Sequence, residues 1–337
     1  MAFPSFAGLA AGWRGETLFQ LPAWSMSLSR AELDELEACS AASRQASEAR
    51  PAVKGCPLPT LQRRLASVRD VLETGPGVVR LRGLPVARWG ALQTEQAFWA
   101  LAVHVGTPVS QGPDGERLFH VRDHGYTSDD PRFRGPASRR RLSFHTDRCD
   151  VIAFACLQPA QSGGESFVVS SVTLHEELRI SQPDVLEVLS QPFPFLRHTV
   201  DTGNAKPYSE LPIFSVHAGH FAGHFLRVLI DRADQAADAP SLSAVQRRAL
   251  DVLESLAEDP ALHVRFRLEP GDVLLLNNWT TFHRRSEFTD VDMLTARRHL
   301  LRIWLSMPNS RPLAPCFRDH FGDTAAGALR GGMCRGA

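Results

Sequence analysis

Lysine is almost missing from this chain of 337 residues: Lys54 and Lys206 stand alone, and arginine supplies the rest of the basic charge. No mechanism follows from that bias, but other absences exclude more. Net charge is absent, with Lys plus Arg and Asp plus Glu balanced at 37 each. The summed field therefore gives no reason to gather nucleic acid or an anionic membrane surface. No CxxC pairing links Cys39, Cys56, Cys149, Cys156, Cys316 and Cys334, so neither a zinc knuckle nor a disulfide framework is indicated, and a reducing cytoplasm is the expected location. No apolar run approaches a membrane span. The opening MAFPSFAGLAAGWRGE lacks the basic region and continuous apolar stretch of a secretory signal, and no internal repeat is found. The expected partner is a small molecule, with no nucleic acid and no membrane, and with a homo-oligomer left open.

What remains is the composition of an ordinary globular protein, 43% apolar and 22% charged, with enough chain to bury a sizeable core. Helical spacing and a Ser cap predict a helix over about Ser27 to Arg50, a second over Thr60 to Leu72 and a third over Gln93 to Val105. Between the last two, GVVRLRGLPV reads as a strand. From Leu118 onward the chain becomes short apolar runs punctuated by Gly, Pro, Asp and Ser: LFHVRD, VIAFACLQ, SFVVSS, PIFSV, HFLRVLI, HVRFRLEP, DVLLLNNW and HLLRIWLS. One amphipathic helix, SLSAVQRRALDVLESLAEDP, interrupts them. The expected fold is mainly β with flanking helices, a closed jelly roll. Residues 1–75 form an N-terminal helical extension on it, residues 76–310 form the body with the helical insertion near 241–258, and residues 311–337 form a tail frayed at GGMCRGA.

Three segments carry chemistry. In FHTDRCD, His145 and Asp147 stand two apart, so on extended backbone both side chains project to one side and can converge on an ion. Alone, the pair reads first as a polar strand end or a turn. In LEPGDVLLLNNWTTFHRRSEF an apolar strand ends near Asn277 and Asn278, and His283 follows. Singly it reads as a structural histidine; with the first pair it completes a facial triad of two imidazoles and a carboxylate, which leaves positions open on iron(II). In RRHLLRIWLS the alternation puts Arg298, Leu300 and Arg302 on one face of a buried strand. Either arginine there needs an anionic partner to offset its desolvation, and a dicarboxylate cosubstrate would supply one.

Taken together, FHTDRCDVIAFACLQPAQSGGESFVVSS, LEPGDVLLLNNWTTFHRRSEF and RRHLLRIWL resemble the TauD/TfdA branch of the iron(II)- and 2-oxoglutarate-dependent dioxygenases, over about residues 76 to 308. GVVRLRGLPV and HVGTPVSQ resemble that family's entry strand and helix end. The resemblance implies a double-stranded β-helix. It makes His145, Asp147 and His283 the metal ligands. Arg298 and Ser166 would grip the distal carboxylate of 2-oxoglutarate, Ser166 standing where relatives more often carry Thr. Arg302 falls where relatives place a second arginine, near the cosubstrate or an anionic group of the substrate. The implied reaction consumes 2-oxoglutarate and O₂, releases succinate and CO₂, and hydroxylates a small polar molecule such as an amino acid, a betaine or a natural-product intermediate. Halogenation is disfavoured because Asp147 is a carboxylate.

Substrate contacts are less legible. The long polar segments 111–141 and 198–212 are expected at the open end of the barrel. His120, Arg122, Tyr208 and Arg227 are candidates, each weighed behind a structural role, and Arg139, Arg140 and Arg141 read first as a solvated run. Two rivals stay open: a cupin-type iron dioxygenase that dispenses with 2-oxoglutarate, and a catalytically silent jelly roll that binds a ligand.

Overall fold

The computed structural model describes residues 3–45, 56–112, 114–123, 125, 138–197, 205–291, 293 and 296–333. Two stacked sheets form its centre. The larger runs in the order Ser25–Ser27, Val78–Arg82, Val273–Asn277, Val151–Gln158, His299–Ser306 and Thr107–Val109, and Leu118–Val121 also pairs with His299–Ser306. All its pairings are antiparallel except that of the first strand with the second. The smaller sheet sets Ser166–Ser170 between His263–Phe266 and Thr281–Arg285.

The central strands read as unbroken apolar runs because the large sheet is covered on both faces. Along Val273–Asn277 the side chains alternate. Val273 and Leu275 join a core with Leu65, Phe98 and Leu301, whereas Leu274 and Leu276 join Ile152, Val168 and Trp304. The first core lies under the helices Arg30–Gln45, Leu61–Thr74 and Val86–Val105, and the second lies between the sheets. Alternation in the last long strand holds too: Leu301 and Ile303 face the helices while Leu300 and Trp304 face inward.

The sequence reading needs correction in five places. The helix expected from Gln93 starts at Val86, broken where Gly90 takes φ 71°. HFLRVLI is not a strand: only the stretch around Leu226 makes a bridge, to His145, and Arg227–Gln235 is a helix. Its β-branched and leucine residues fit either period, and Leu229, Ile230 and Ala233 fall on one buried helical face. The single helix expected among the strands forms as Ala244–Ala257, but Ser171–Ser181 and Pro183–Leu189 also interrupt them. The first of these opens on Ser170, the last residue of the strand read in SFVVSS, whose side chain accepts from the Thr173 amide as a cap.

Fourth, Cys39 and Cys56 are joined as a disulfide with Cα atoms 5.2 Å apart. Their separation of 17 residues resembles no spacing motif, so the pairing left no trace in the sequence. Fifth, the first three residues of the stretch expected to fray, 331–333, are packed, while 334–337 lie outside the described residues. The Gly331 amide donates to the Phe321 carbonyl, Gly332 to Arg148 and Met333 to Ser110. Buried Arg330 reaches Asp150 at 2.6 Å. This strap was illegible because its ties are backbone contacts to residues far off in the chain. No helix among the described residues is long and apolar enough to cross a membrane.

Candidate metal centre

Backbone pairing builds the site. His145 and His283 exchange both amide-to-carbonyl hydrogen bonds, at 2.9 and 3.0 Å, which sets their side chains on one face with ring centroids 4.5 Å apart. Asp147 returns to that face two residues on, and its amide donates to Asn278 Oδ1 at 3.1 Å. Asn278 in turn donates to the Cys149 carbonyl, which fixes the bend that carries the carboxylate. One ligand atom from each of His145, Asp147 and His283 lies within 4.8 Å of the others. The three could hold one metal ion.

The donor set is prepared chemically as well. The Nδ1–H of His145 donates to the Ser143 carbonyl at 2.8 Å, which selects the tautomer whose Nε2 carries the lone pair. Burial, with the neighbouring His283, pushes the His145 imidazolium down to about 4, so at neutral pH the ring is the neutral ligand form. Burial alone would raise the Asp147 carboxyl; the adjacent His283 and the Arg302 guanidinium outweigh it and hold the acid far below the usual range. Asp147 Oδ2 lies 3.3 Å from His283 Nε2 without completing a hydrogen bond, and His283 Nδ1 is buried with no hydrogen-bond partner in the described structure. Orphaned polar atoms of this kind fit a site that expects a cation.

A cavity of about 570 Å³ opens beside the triad. Arg298 and Ser166 both line it. Arg298 is 4% exposed and one of its terminal nitrogens has no hydrogen-bond partner; burial pushes its guanidinium down to about 10. An uncompensated buried cation is costly, and a carboxylate is the partner its planar fork fits. Gly164 makes room for it: a Cβ there would stand 3.2 Å from Arg298 Nε. Arg302 does something else. Its Nε donates to Gln111 Oε1 at 2.7 Å and its NH1 lies 3.7 Å from Asp147 Oδ1, so it faces the candidate ligand carboxylate.

Among the residues named from sequence for substrate, Arg227 lines the cavity but is already engaged by Asp231, Asp251 and Glu254. His120 instead pairs with His299 at 2.8 Å. Arg139 pairs with Asp123 and Arg141 with Glu258. The stretches 126–137 and 198–204 of the two long segments lie outside the described residues. Sequence reasoning missed Gln111, Arg148, His224 and His320, which all line the cavity. Only Arg148, directly after Asp147, carried a positional signal.

The family model described as taurine catabolism dioxygenase TauD, TfdA family matches residues 43–304. FR-33289 synthase of Streptomyces rubellomurinus is 30% identical over 273 residues, which cover 79% of this chain and 80% of that protein. L-asparagine oxygenase of Streptomyces coelicolor is 29% identical over 254 residues, 68% of this chain and 71% of that one. Among solved structures, asparagine oxygenase in complex with Fe(II), 2S,3S-3-hydroxyasparagine and succinate superposes with a TM-score of 0.64 at 20% identity, over 84% of this chain and 93% of its own. The non-heme iron oxygenase OrfP with Fe and alpha-ketoglutaric acid gives 0.58 at 16% identity, over 90% and 99%. These two show the same fold, the double-stranded β-helix. With a family match over most of its length, the chain belongs to the TauD/TfdA dioxygenases and is an oxygenase dependent on iron(II) and 2-oxoglutarate.

Proposed function

We propose that His145, Asp147 and His283 hold the ferrous ion, that Arg298 with Ser166 anchors the distal carboxylate of 2-oxoglutarate, and that the enzyme hydroxylates an unactivated C–H bond of a small polar substrate. Succinate and CO₂ are the coproducts. The observation that carries this reading is the proximity of a three-ligand cluster to a buried arginine lacking a hydrogen-bond partner on one nitrogen, both on one cavity. When bound, the iron supplies the oxidising chemistry; the protein supplies position and exclusion of water.

The protein's own parts divide that work. His145 and His283 present neutral imidazoles and Asp147 a carboxylate kept ionised by its neighbours. Arg298 orients the cosubstrate by charge, and Ser166, at the start of the strand Ser166–Ser170, adds a hydroxyl. Arg302 and Gln111 hold the ligand carboxylate in place. Leu274, Leu276, Leu300 and Trp304 wall the cavity with apolar surface that keeps water out. We read the helices before residue 76 as cover for the large sheet rather than part of the site, and the relatives' hydroxyasparagine and hydroxyarginine complexes support an amino-acid-like substrate.

The test is anaerobic titration with iron(II) and 2-oxoglutarate, which gives a weak visible charge-transfer band in the native chain and none in His145→Ala. Absence of the band in the native protein, with no iron retained, sinks the reading. Succinate release across amino acids, betaines and sulfonates then identifies the substrate class.

A further inference from the structure

Arg285 is a buried cation, 7% exposed, whose hydrogen bonds all go to neutral carbonyls. Its Nε donates to Ser286 at 3.2 Å, and Nη2 donates to Ser138 at 2.8 Å and to Arg140. Its other terminal nitrogen, Nη1, donates to none of the described residues, and no carboxylate among them forms an ion pair with it. Carbonyl dipoles hold such a group in place but leave its charge whole, and a guanidinium does not shed its proton to escape burial.

Strand pairing sets this charge beside the cosubstrate pocket. Arg285 and Ser166 stand directly opposite each other across the antiparallel pair, so their side chains share a face. Both line the cavity together with Arg298. The Phe288 ring joins the two arginines: Arg285 Cζ lies 4.7 Å and Arg298 Cζ 5.1 Å from its centroid. Arg298 Nη1, like its counterpart, has no hydrogen-bond partner.

We propose that Arg285 is the second cation of the 2-oxoglutarate pocket, acting with Arg298 to select a keto acid that carries a distal carboxylate. This rests on the oxygenase reading and deepens it.

The local charge count supports the role. The carboxylates that act on the two arginines are Asp123 and Asp290. Asp123 is taken by Arg139 at 2.5 Å. Asp290 Oδ1 accepts from the Arg298 amide at 2.9 Å, and Oδ2 has no hydrogen-bond partner. One carboxylate against two guanidiniums leaves the pocket with a single positive charge in excess. With Arg298 alone, Asp290 would cancel that excess; Arg285 restores it. A distal carboxylate brings the count to zero through charge-assisted bonds, whereas a keto acid without one leaves a buried charge uncompensated.

The carbonyl bonds of Arg285 also pin residues 138–140, which lead into the segment of His145 and Asp147, so the experiment has to separate charge from support. The full-length protein is loaded anaerobically with iron(II), and the visible band is titrated with 2-oxoglutarate and with 2-oxopentanoate, which keeps the chelating keto acid and lacks the distal carboxylate. In Arg285→Gln the 2-oxoglutarate half-saturation rises roughly tenfold or more, while that of 2-oxopentanoate and the iron retained stay within about threefold of native. Where the monoacid binds too weakly to titrate, iron retention is the reference. A smaller rise, or one matched by 2-oxopentanoate or by lost iron, overturns the second-cation role and leaves the oxygenase reading intact. Should Arg285→Gln not fold, Arg285→Lys decides: its retained charge keeps 2-oxoglutarate half-saturation within about threefold of native, and a larger rise overturns the role. A native protein that gives no band with 2-oxoglutarate overturns both.

Discussion

At the level of single residues, the site is a set of charges whose compensation is incomplete without ligands. Arg298 shows it most directly, since its buried guanidinium has one nitrogen with nothing to bond. Arg298→Gln is expected to raise the 2-oxoglutarate concentration at half-saturation roughly 30-fold or more, the lower end of the 2–5 kcal/mol that removing one partner of a buried charge pair costs. Titration of the charge-transfer band measures it, and iron retention should not change. Protonation supplies a second expectation. His145 and His224 have folded values near 4 and 3, below the ordinary 6.5. The unfolded chain therefore binds more protons than the folded one between those limits. Stability is full above about pH 6.5 and is lost as pH falls toward 4, by roughly 3 kcal/mol from His145 alone. Melting temperatures of the metal-free protein from pH 7.5 to 4.5 should fall steadily, and less steeply in His224→Phe.

The His145, Asp147 and His283 pattern was legible in sequence because each residue type is rare in an apolar setting and its spacing carries geometry. Arg302 was legible as inward-facing but not as the partner of Asp147, since that depends on Gln111 from a loop far off in the chain. His224 and His320 were invisible, because nothing local distinguishes a buried histidine that lines a cavity from one in the core.

Among elements, the strands were readable wherever both faces are buried, and the errors fell where a short apolar run could follow either period. Phe225 to Ile230 is the example: its residues pattern as a strand, yet the helix Arg227–Gln235 wins by burying Leu229 and Ile230 in a core shared with Leu250 and Leu253. The turn before Ser166 makes the sharpest demand on backbone. Gly163 has φ +69°, and a Cβ there would stand 2.2 Å from the Glu287 carbonyl oxygen. Gly163→Ala must displace that contact, shifting the Ser166 strand where it enters the cosubstrate pocket. The expected result is a stability loss of about 1–3 kcal/mol in urea unfolding, with weaker 2-oxoglutarate binding and little change in iron affinity.

Across the whole molecule, the described part of the C-terminal segment, up to Met333, ties the structure together. Arg330 and Asp150 are 0% and 2% exposed, and Asp150 also accepts from Trp279 Nε1 and the Met307 amide. Arg330→Met leaves that carboxylate short of its counter-charge in the interior. A loss of about 3–5 kcal/mol is expected, seen as a lowered denaturant midpoint, and it should be larger than that of an exposed-pair variant such as Arg30→Met, where both partners face solvent.

The strap also sets a birth order. The two sheets and all three triad residues emerge from the ribosome before residue 310, but the loop carrying Arg148 gains its last backbone anchor only when Gly332 arrives. A variant cut just before Gly331 would keep all three candidate ligands and lose the tie to the Arg148 carbonyl, so it should hold iron(II) more weakly than the intact chain.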